Sequence, residues 1–290
     1  VPEMAKKAAH VTMLQRSPTY VISRPAQDVI ANELRRTLPP KIAYDITRWK
    51  NVGLQMLFFN LARRAPRWVR KQLLDAVQKE LGEDFDVQTH FNPPYDPWDQ
   101  RVCLVPDGDL FEAIRSGRAS VVTEHIDSFT ERGILLRSGV ELEADLIVTA
   151  TGLELLFLGG VDLFVDEKRV EPAKSMTYKA MMLSDVPNLA MSFGYTNASW
   201  TLKSDLTGEY VCRLLNLMER NGHEVCVPRR NDPTVKEEPF LDFSSGYIRR
   251  ALDRLPKQGS KAPWKLHQNY AKDILTLRYG DLEDGVLELS

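Results

Sequence analysis

The chain has 290 residues, 43% of them apolar, and 38 basic side chains stand against 40 acidic ones. That is enough to bury a sizeable core and too balanced in charge to mark a nucleic-acid binder. No apolar run approaches the roughly 20 residues that span a bilayer, the N-terminus lacks signal-peptide zones, and the three cysteines show no C-x-x-C spacing, so a reducing, cytoplasmic setting without a disulfide framework or zinc site is expected.

Residues 1–10 have helical texture, and residues 11–17 (VTMLQRS) read as a buried strand stopped by Ser17-Pro18. From about Gln27 to Leu81, apolar residues recur at helical spacing: Val29, Ile30, Leu34, then Leu54, Leu57, Phe58, Leu61, then Val69, Leu73, Val77, Leu81. About three helices are predicted there, as an insertion outside the sheet. Residues 90–98, rich in proline and aromatics, form a structured loop leading to a buried segment at 102–105. Asp107 is expected to cap a helix through Leu110, Phe111 and Ile114 to Gly117, followed by a strand at 120–123. A small antiparallel meander should fill 126–143 and a buried strand 145–150, ending in Ala150-Thr151-Gly152. Further on, a short buried strand is predicted at 187–194, then a polar loop, then a helix from near Ser204-Asp205 to Asn221-Gly222. Helical patches at 248–255 and 266–277 complete the tail.

The alternation of strands and helices defines an α/β chain with a dinucleotide-binding, Rossmann-like pattern. Such a domain places a Gly-x-Gly-x-x-Gly turn before its first helix, and no such turn occurs between Val1 and the strand at 11–17. The chain is therefore expected to be the C-terminal part of something longer.

Arg16 ends the strand at the position where an NAD-specific site carries an acid for the ribose 2′-hydroxyl. A guanidinium beside the Ser17 hydroxyl instead suits a 2′-phosphate, which points to NADP, although a surface arginine at a strand end is an equally good reading. Arg101 stands between the 90–98 loop and the following apolar run, where pairing with Asp99 would be its plainest role. The basic run Arg63, Arg64, Arg67, Arg70 and Lys71, with Trp68 and Val69, suits either peripheral contact with an anionic membrane or the solvated face of a helix. The five histidines are scattered without metal-ligand spacing, and no G-x-S-x-G elbow is present, which disfavours metalloenzyme and hydrolase readings.

Taken in order, VTMLQRSPTY (11–20), YDPWDQR (95–101), ADLIVTATG (144–152) and GYTNASW (194–200) resemble the flavin-dependent Baeyer-Villiger monooxygenases, especially the bacterial ethionamide-activating branch. The likeness runs along most of the chain. It implies two Rossmann-like domains with a helical insertion: residues 1–24 and 99–150 in an NADPH domain, 25–98 in the insertion, and 151–290 as the returning part of an FAD domain. It further implies FAD and NADPH as cofactors, O2 and a ketone or sulfur compound such as a thioamide as substrates, and no activity in residues 1–290 alone. Arg16 and Ser17 would contact the 2′-phosphate, Gln100 would assist where some relatives have Lys, and Arg101 would be catalytic, stabilising negative charge during oxygen transfer. Thr151 and Gly152 would mark the crossover between domains, with Asn197, Ala198, Ser199 and Trp200 near the flavin. The glycine loops and the family's F-x-G-x-x-x-H-x-x-x-W fingerprint do not occur in these residues. Alternatives are a flavin monooxygenase confined to N- or S-oxygenation, and a non-enzymatic module binding through 63–71.

Overall fold

The computed structural model describes residues 1–241 and 245–290. They form two compact units, Val1–Thr151 and Gly152–Ser290.

The first unit opens with a single helical turn, α1 (Pro2–Ala5), shorter than the expected helix over 1–10. β1 (Val11–Gln15) follows as the sequence predicts, and β2 (Val21–Arg24) leads into the helical stretch. That stretch contains α2 (Val29–Thr37), α3 (Pro40–Arg64), α4 (Pro66–Leu81) and a short α5 (Val87–Phe91). The break between α3 and α4 has a local cause: Pro66 takes the first helical position of α4, which keeps Ala65 out of the helical region at φ −133°, ψ 57°. The basic run 63–71 is thus split between two helices. β3 (Cys103–Pro106), α6 (Asp109–Arg115) and β4 (Ala119–Thr123) continue the α/β alternation. β1 pairs in parallel with β4 and β2 with β3, as expected where helices supply the crossovers.

The core of this unit joins Val21, Val105 and Val121 of the strands to Val77 of α4 and Leu110 and Phe111 of α6. Each such side chain contributes about 1.5–3 kcal/mol by leaving water. α4 therefore packs on the strands and is more intimate with them than a helix outside the sheet. β5 (Ile126–Phe129), β6 (Gly133–Leu136) and β7 (Glu141–Glu143) form the expected antiparallel meander.

Three further sequence expectations fail in this unit. Asp107 does not cap α6: Gly108, in a left-handed conformation, holds the N-cap position, and Asp107 Oδ1 accepts the Ala26 N–H at 2.9 Å. At 102–105 only Val105 is buried, because β3 has a single partner strand and leaves Cys103 and Leu104 exposed. Residues 145–150 have the composition of a strand covered on both faces. Yet they pair with no strand among the described residues, and Leu146 and Val148 are 74% and 60% exposed. Composition records what a segment can bury; a ladder also needs a neighbour.

The second unit is built of short ribbons around one long helix. Two hairpins, β8 (Phe164–Val165) with β9 (Lys168–Arg169) and β10 (Thr177–Tyr178) with β11 (Met182–Leu183), precede α7 (Trp200–Asn221). The stretch predicted as a strand at 187–194 joins no ladder among the described residues, and in it Leu189 and Met191 are less exposed than their immediate neighbours. α7 begins four residues earlier than expected, at Trp200, and stops where predicted, at a left-handed Gly222. After it come β12 (Cys226–Pro228), β13 (Glu237–Pro239), α8 (Gly246–Ala251), β14 (Lys257–Gly259), α9 (Tyr270–Asp273) continued by a π turn, and β15 (Leu287–Leu289). β12 pairs with β15, and β13 with β14, both antiparallel. Among the described residues no helix is long and apolar enough to cross a membrane.

Candidate functional site

The residues singled out by sequence fall into two groups, one within the first unit and one from its last residue, Thr151, into the second. In the first unit, Arg16 and Ser17 follow directly on β1, whose last residue is anchored: Gln15 Nε2 donates to the His90 carbonyl at 2.7 Å and to Thr123 Oγ1 at 2.8 Å. Arg16 and Ser17 are exposed, and the Arg16 guanidinium has no ion-pair or hydrogen-bond partner among the described residues. A fixed strand end carrying an uncommitted guanidinium and a hydroxyl is a donor set suited to a phosphate dianion.

The YDPWDQR segment is held by Thr19 and Tyr20, the residues just before β2. Tyr20 is fully buried, donates its hydroxyl to the Tyr95 carbonyl at 2.7 Å, and meets the Tyr95 ring edge-on at 5.7 Å. Tyr95 in turn donates to Thr19 Oγ1 at 3.0 Å. Arg70 closes the arrangement from α4, donating to the Tyr20 hydroxyl at 2.7 Å and to the Tyr95 carbonyl at 2.6 Å. Burial raises the pKa of both tyrosines, so both phenols stay protonated as donors. Arg101 lies two residues before Cys103, which pairs with Val21, so it sits at the mouth of the β2–β3 pair. It is exposed and uncommitted among the described residues, whereas Gln100 is half-buried. Asp99 pairs with Arg63 at 2.7 Å, which answers the expectation that Asp99 would serve Arg101.

These contacts also spend much of the basic run. Arg63 is held by Asp99, Arg70 by the loop carbonyls and Lys71 by Asp75.

At the start of the second unit, Gly152 adopts φ +111°, with Arg250 Nη2 3.9 Å from where a Cβ would stand, and Thr151, the last residue of the first unit, is exposed. Residues 195–199 form the turn into α7. Thr196 N–H donates to Gln268 Oε1 at 2.9 Å and Asn197 Nδ2 to the Gln268 carbonyl at 3.0 Å. Trp200, half exposed, lies against Gly194, where an added Cβ would fall 2.1 Å from the indole, so glycine is required there for close approach. Ser199 occupies the N-cap position of α7 without capping it; its hydroxyl bonds Thr201 Oγ1 at 2.8 Å, and Ala198 beside it is half-buried. The first turn of a 22-residue helix thus keeps N–H groups unclaimed by a side-chain cap.

Two ionic clusters, one buried and one partly exposed, are not apparent in the sequence. Lys203, 2% exposed, donates to Asp273 Oδ2 at 2.9 Å, and Tyr195 donates to the same oxygen at 2.6 Å. Burial pushes the Lys203 ammonium below its usual pKa against the pull of Asp273, and burial with the Asp273 charge raises Tyr195. Nearby, Asp284 accepts from Tyr178 at 2.7 Å and pairs with Lys179 at 3.1 Å, and Tyr178 and Tyr210 are bonded at 3.0 Å. Lys203, Lys179, Asp273, Asp284 and His267 border a cavity of about 290 Å3. One signal was available: Lys203 interrupts the stripe Leu206, Tyr210, Leu214 on the buried face of α7, where a lysine needs a buried counter-ion.

Burial opposes ionisation of Asp284, but the Tyr178 hydrogen bond and Lys179 win and hold its pKa below the ordinary 3.8. A depressed carboxyl contributes stability above its unfolded pKa and loses it as pH falls through the folded one. Asp284→Asn should therefore lower Tm at pH 7, with the gap to wild type closing as the pH falls below about 4. Melting curves across that range check this, and a gap independent of pH would contradict it.

No family model matches the chain. In sequence it is 53% identical over 98% of its length to the FAD-containing monooxygenase EthA of Mycobacterium tuberculosis, and it spans 58% of that relative. In structure it resembles the OTEMO complex with FAD and NADP, with a TM-score of 0.65 at 16% identity, covering 100% of this chain and 64% of that one. The open form of cyclohexanone monooxygenase gives a TM-score of 0.64 at 16% identity, with 99% and 62% covered. The fold is therefore the α/β fold of the Baeyer-Villiger monooxygenases. The chain is thus similar along nearly its whole length to FAD-containing monooxygenases, and it spans 58% of the relative it matches.

Proposed function

We propose that the natural protein carrying this chain is an FAD- and NADPH-dependent monooxygenase that converts ketones to esters or lactones and oxidises sulfur compounds such as thioamides. The balance is ketone, O2, NADPH and a proton giving ester, water and NADP+. The observation that carries the reading is the uncommitted Arg101 guanidinium, presented at the mouth of β2–β3 by a loop that Tyr20, Tyr95 and Arg70 hold rigid. The 53% identity to EthA supports it, as does the binding of FAD and NADP by a structural neighbour.

Residues 1–24 and 99–150 are assigned to the NADPH domain, 25–98 to a helical insertion and 151–290 to the returning FAD domain; the division between Thr151 and Gly152 supports that boundary. When bound, the flavin supplies two-electron activation of O2. The chain's own residues then do the following. Arg16 and Ser17 bind the 2′-phosphate of NADPH through charge-assisted bonds. Gln100 adds a neutral hydrogen bond. Arg101 holds a fixed positive charge against the oxygen anion that develops as the carbonyl is attacked. Thr151 and Gly152 form the crossover, and residues 197–200 face the flavin, where the unclaimed N–H groups of α7 favour electron-rich atoms.

The test is to purify the full-length protein with FAD, supply NADPH, 18O2 and a cyclic ketone, and analyse products by mass spectrometry. A lactone carrying one 18O atom is expected. Sulfoxidation of a thioamide without any ester from a panel of ketones would restrict the activity to sulfur, and absence of bound FAD would overturn the reading.

A further inference from the structure

The segment 195–200 is gripped at both ends by one carboxylate. Tyr195 opens it, Lys203 lies one turn into α7 beyond it, and both donate to Asp273 Oδ2. All three side chains are buried, at 1%, 2% and 3% exposure. Asp273 is fixed in turn at the end of α9, where Asn269 caps the helix by accepting from Lys272 N–H, and the Tyr270 ring meets Tyr195 edge-on at 6.4 Å. Gln268, two residues before α9, takes the Thr196 and Asn197 donors. The turn is thus fastened to the 268–273 segment at four points: residues 195, 196, 197 and 203.

Burying an ion pair is an inefficient way to gain stability, since apolar side chains of equal volume would serve as well or better. What the cluster provides is geometry. A hydrogen bond of 2.6 Å to a charged acceptor fixes the Tyr195 ring, and with it the backbone entering the turn, more narrowly than packing does. We infer that Tyr195, Lys203 and Asp273 are positioning residues that set residues 196–200 at the geometry needed to hold FAD. This rests on the reading above that this segment faces the flavin.

The experiment uses the full-length flavoprotein, with FAD affinity and the visible flavin spectrum as readouts beside Tm. Tyr195→Phe should leave Tm close to wild type, yet weaken FAD binding by about tenfold and shift the flavin absorption bands. Lys203→Met should lower Tm sharply, by leaving Asp273 buried without its cation. The double variant Lys203→Met/Asp273→Leu should recover most of that loss, because no charge is left unpaired, while the FAD defect persists. A purely structural cluster would recover both together, and wild-type FAD binding and spectrum in Tyr195→Phe and in the double variant would overturn the inference. If Lys203→Met does not fold, Tyr195→Phe alone carries the decision. Trp200→Ala separates the two levels: a change there with none in Tyr195→Phe removes only the positioning role. No change in Trp200→Ala removes the placement of the segment at the flavin, and the inference with it.

Discussion

Arg101→Ala in the full-length protein is expected to reduce ester formation from a ketone by about 10²–10³-fold, the usual cost of removing a donor to a developing oxyanion. FAD should remain bound, because Arg101 makes no contact that supports the fold: it is exposed and uncommitted among the described residues. NADPH oxidation should continue, with oxygen released in reduced form and not transferred, so the coupling ratio of ester formed to NADPH consumed falls with the rate. Arg101→Lys keeps the charge and loses the planar fork, and should recover only part of the activity. Measuring ester and NADPH in the same reaction decides the matter. Coupling equal to wild type in Arg101→Ala would mean that the arginine does no chemistry.

That expectation depends on the neighbouring side chains as much as on Arg101. Asp99 is the nearest carboxylate in sequence and would have neutralised it, but Arg63, at the end of α3, takes Asp99. Arg70 binds the same loop through carbonyl oxygens, the Tyr20 hydroxyl and the Asp96 carboxylate at 3.6 Å, so Asp96, like Asp99, has a basic partner other than Arg101. The basic run that invites a membrane reading in sequence thus has an internal use for three of its five cations.

What the sequence made legible were features written in local periodicity. β1, β4, the meander at 126–143 and the Gly222 stop of α7 each announce themselves through alternation, a buried run or a turn residue. What stayed hidden depends on partners distant along the chain. Residues 145–150 look like a strand because Leu146, Ile147 and Val148 form an apolar run, yet pairing is a property of two segments. Asp107 looks like a cap because it precedes a helix, yet its carboxylate is taken by the Ala26 N–H, 81 positions away. Lys203, Asp273 and Tyr195 come together across 70 and 78 residues, and no spacing rule reaches so far. Arg16 and Arg101 drew attention in a different way: local sequence reads each as an ordinary surface arginine at least as readily, and the resemblance of the motifs around them singled them out.

Arg16 carries the second large effect. In the full-length protein, Arg16→Ala should raise the KM for NADPH roughly 10- to 100-fold, since a charge-assisted hydrogen bond contributes about 1.5–3 kcal/mol and each 1.4 kcal/mol is tenfold. The kcat at saturating NADPH should hold, because the 2′-phosphate lies away from the transferring hydride and its binding is the same in ground and transition states. NADH has no 2′-phosphate, so its KM should not change, and the preference for NADPH should shrink by the same factor. Salt gives an independent check: screening weakens the guanidinium–phosphate attraction, so the wild-type KM for NADPH should climb with ionic strength and that of Arg16→Ala should stay flat. Ser17→Ala should act in the same direction with a smaller effect, because a hydroxyl lacks the charge. An Arg16→Ala enzyme that kept its full preference for NADPH would transfer the 2′-phosphate to other donors and leave Arg16 as an ordinary arginine at the end of β1.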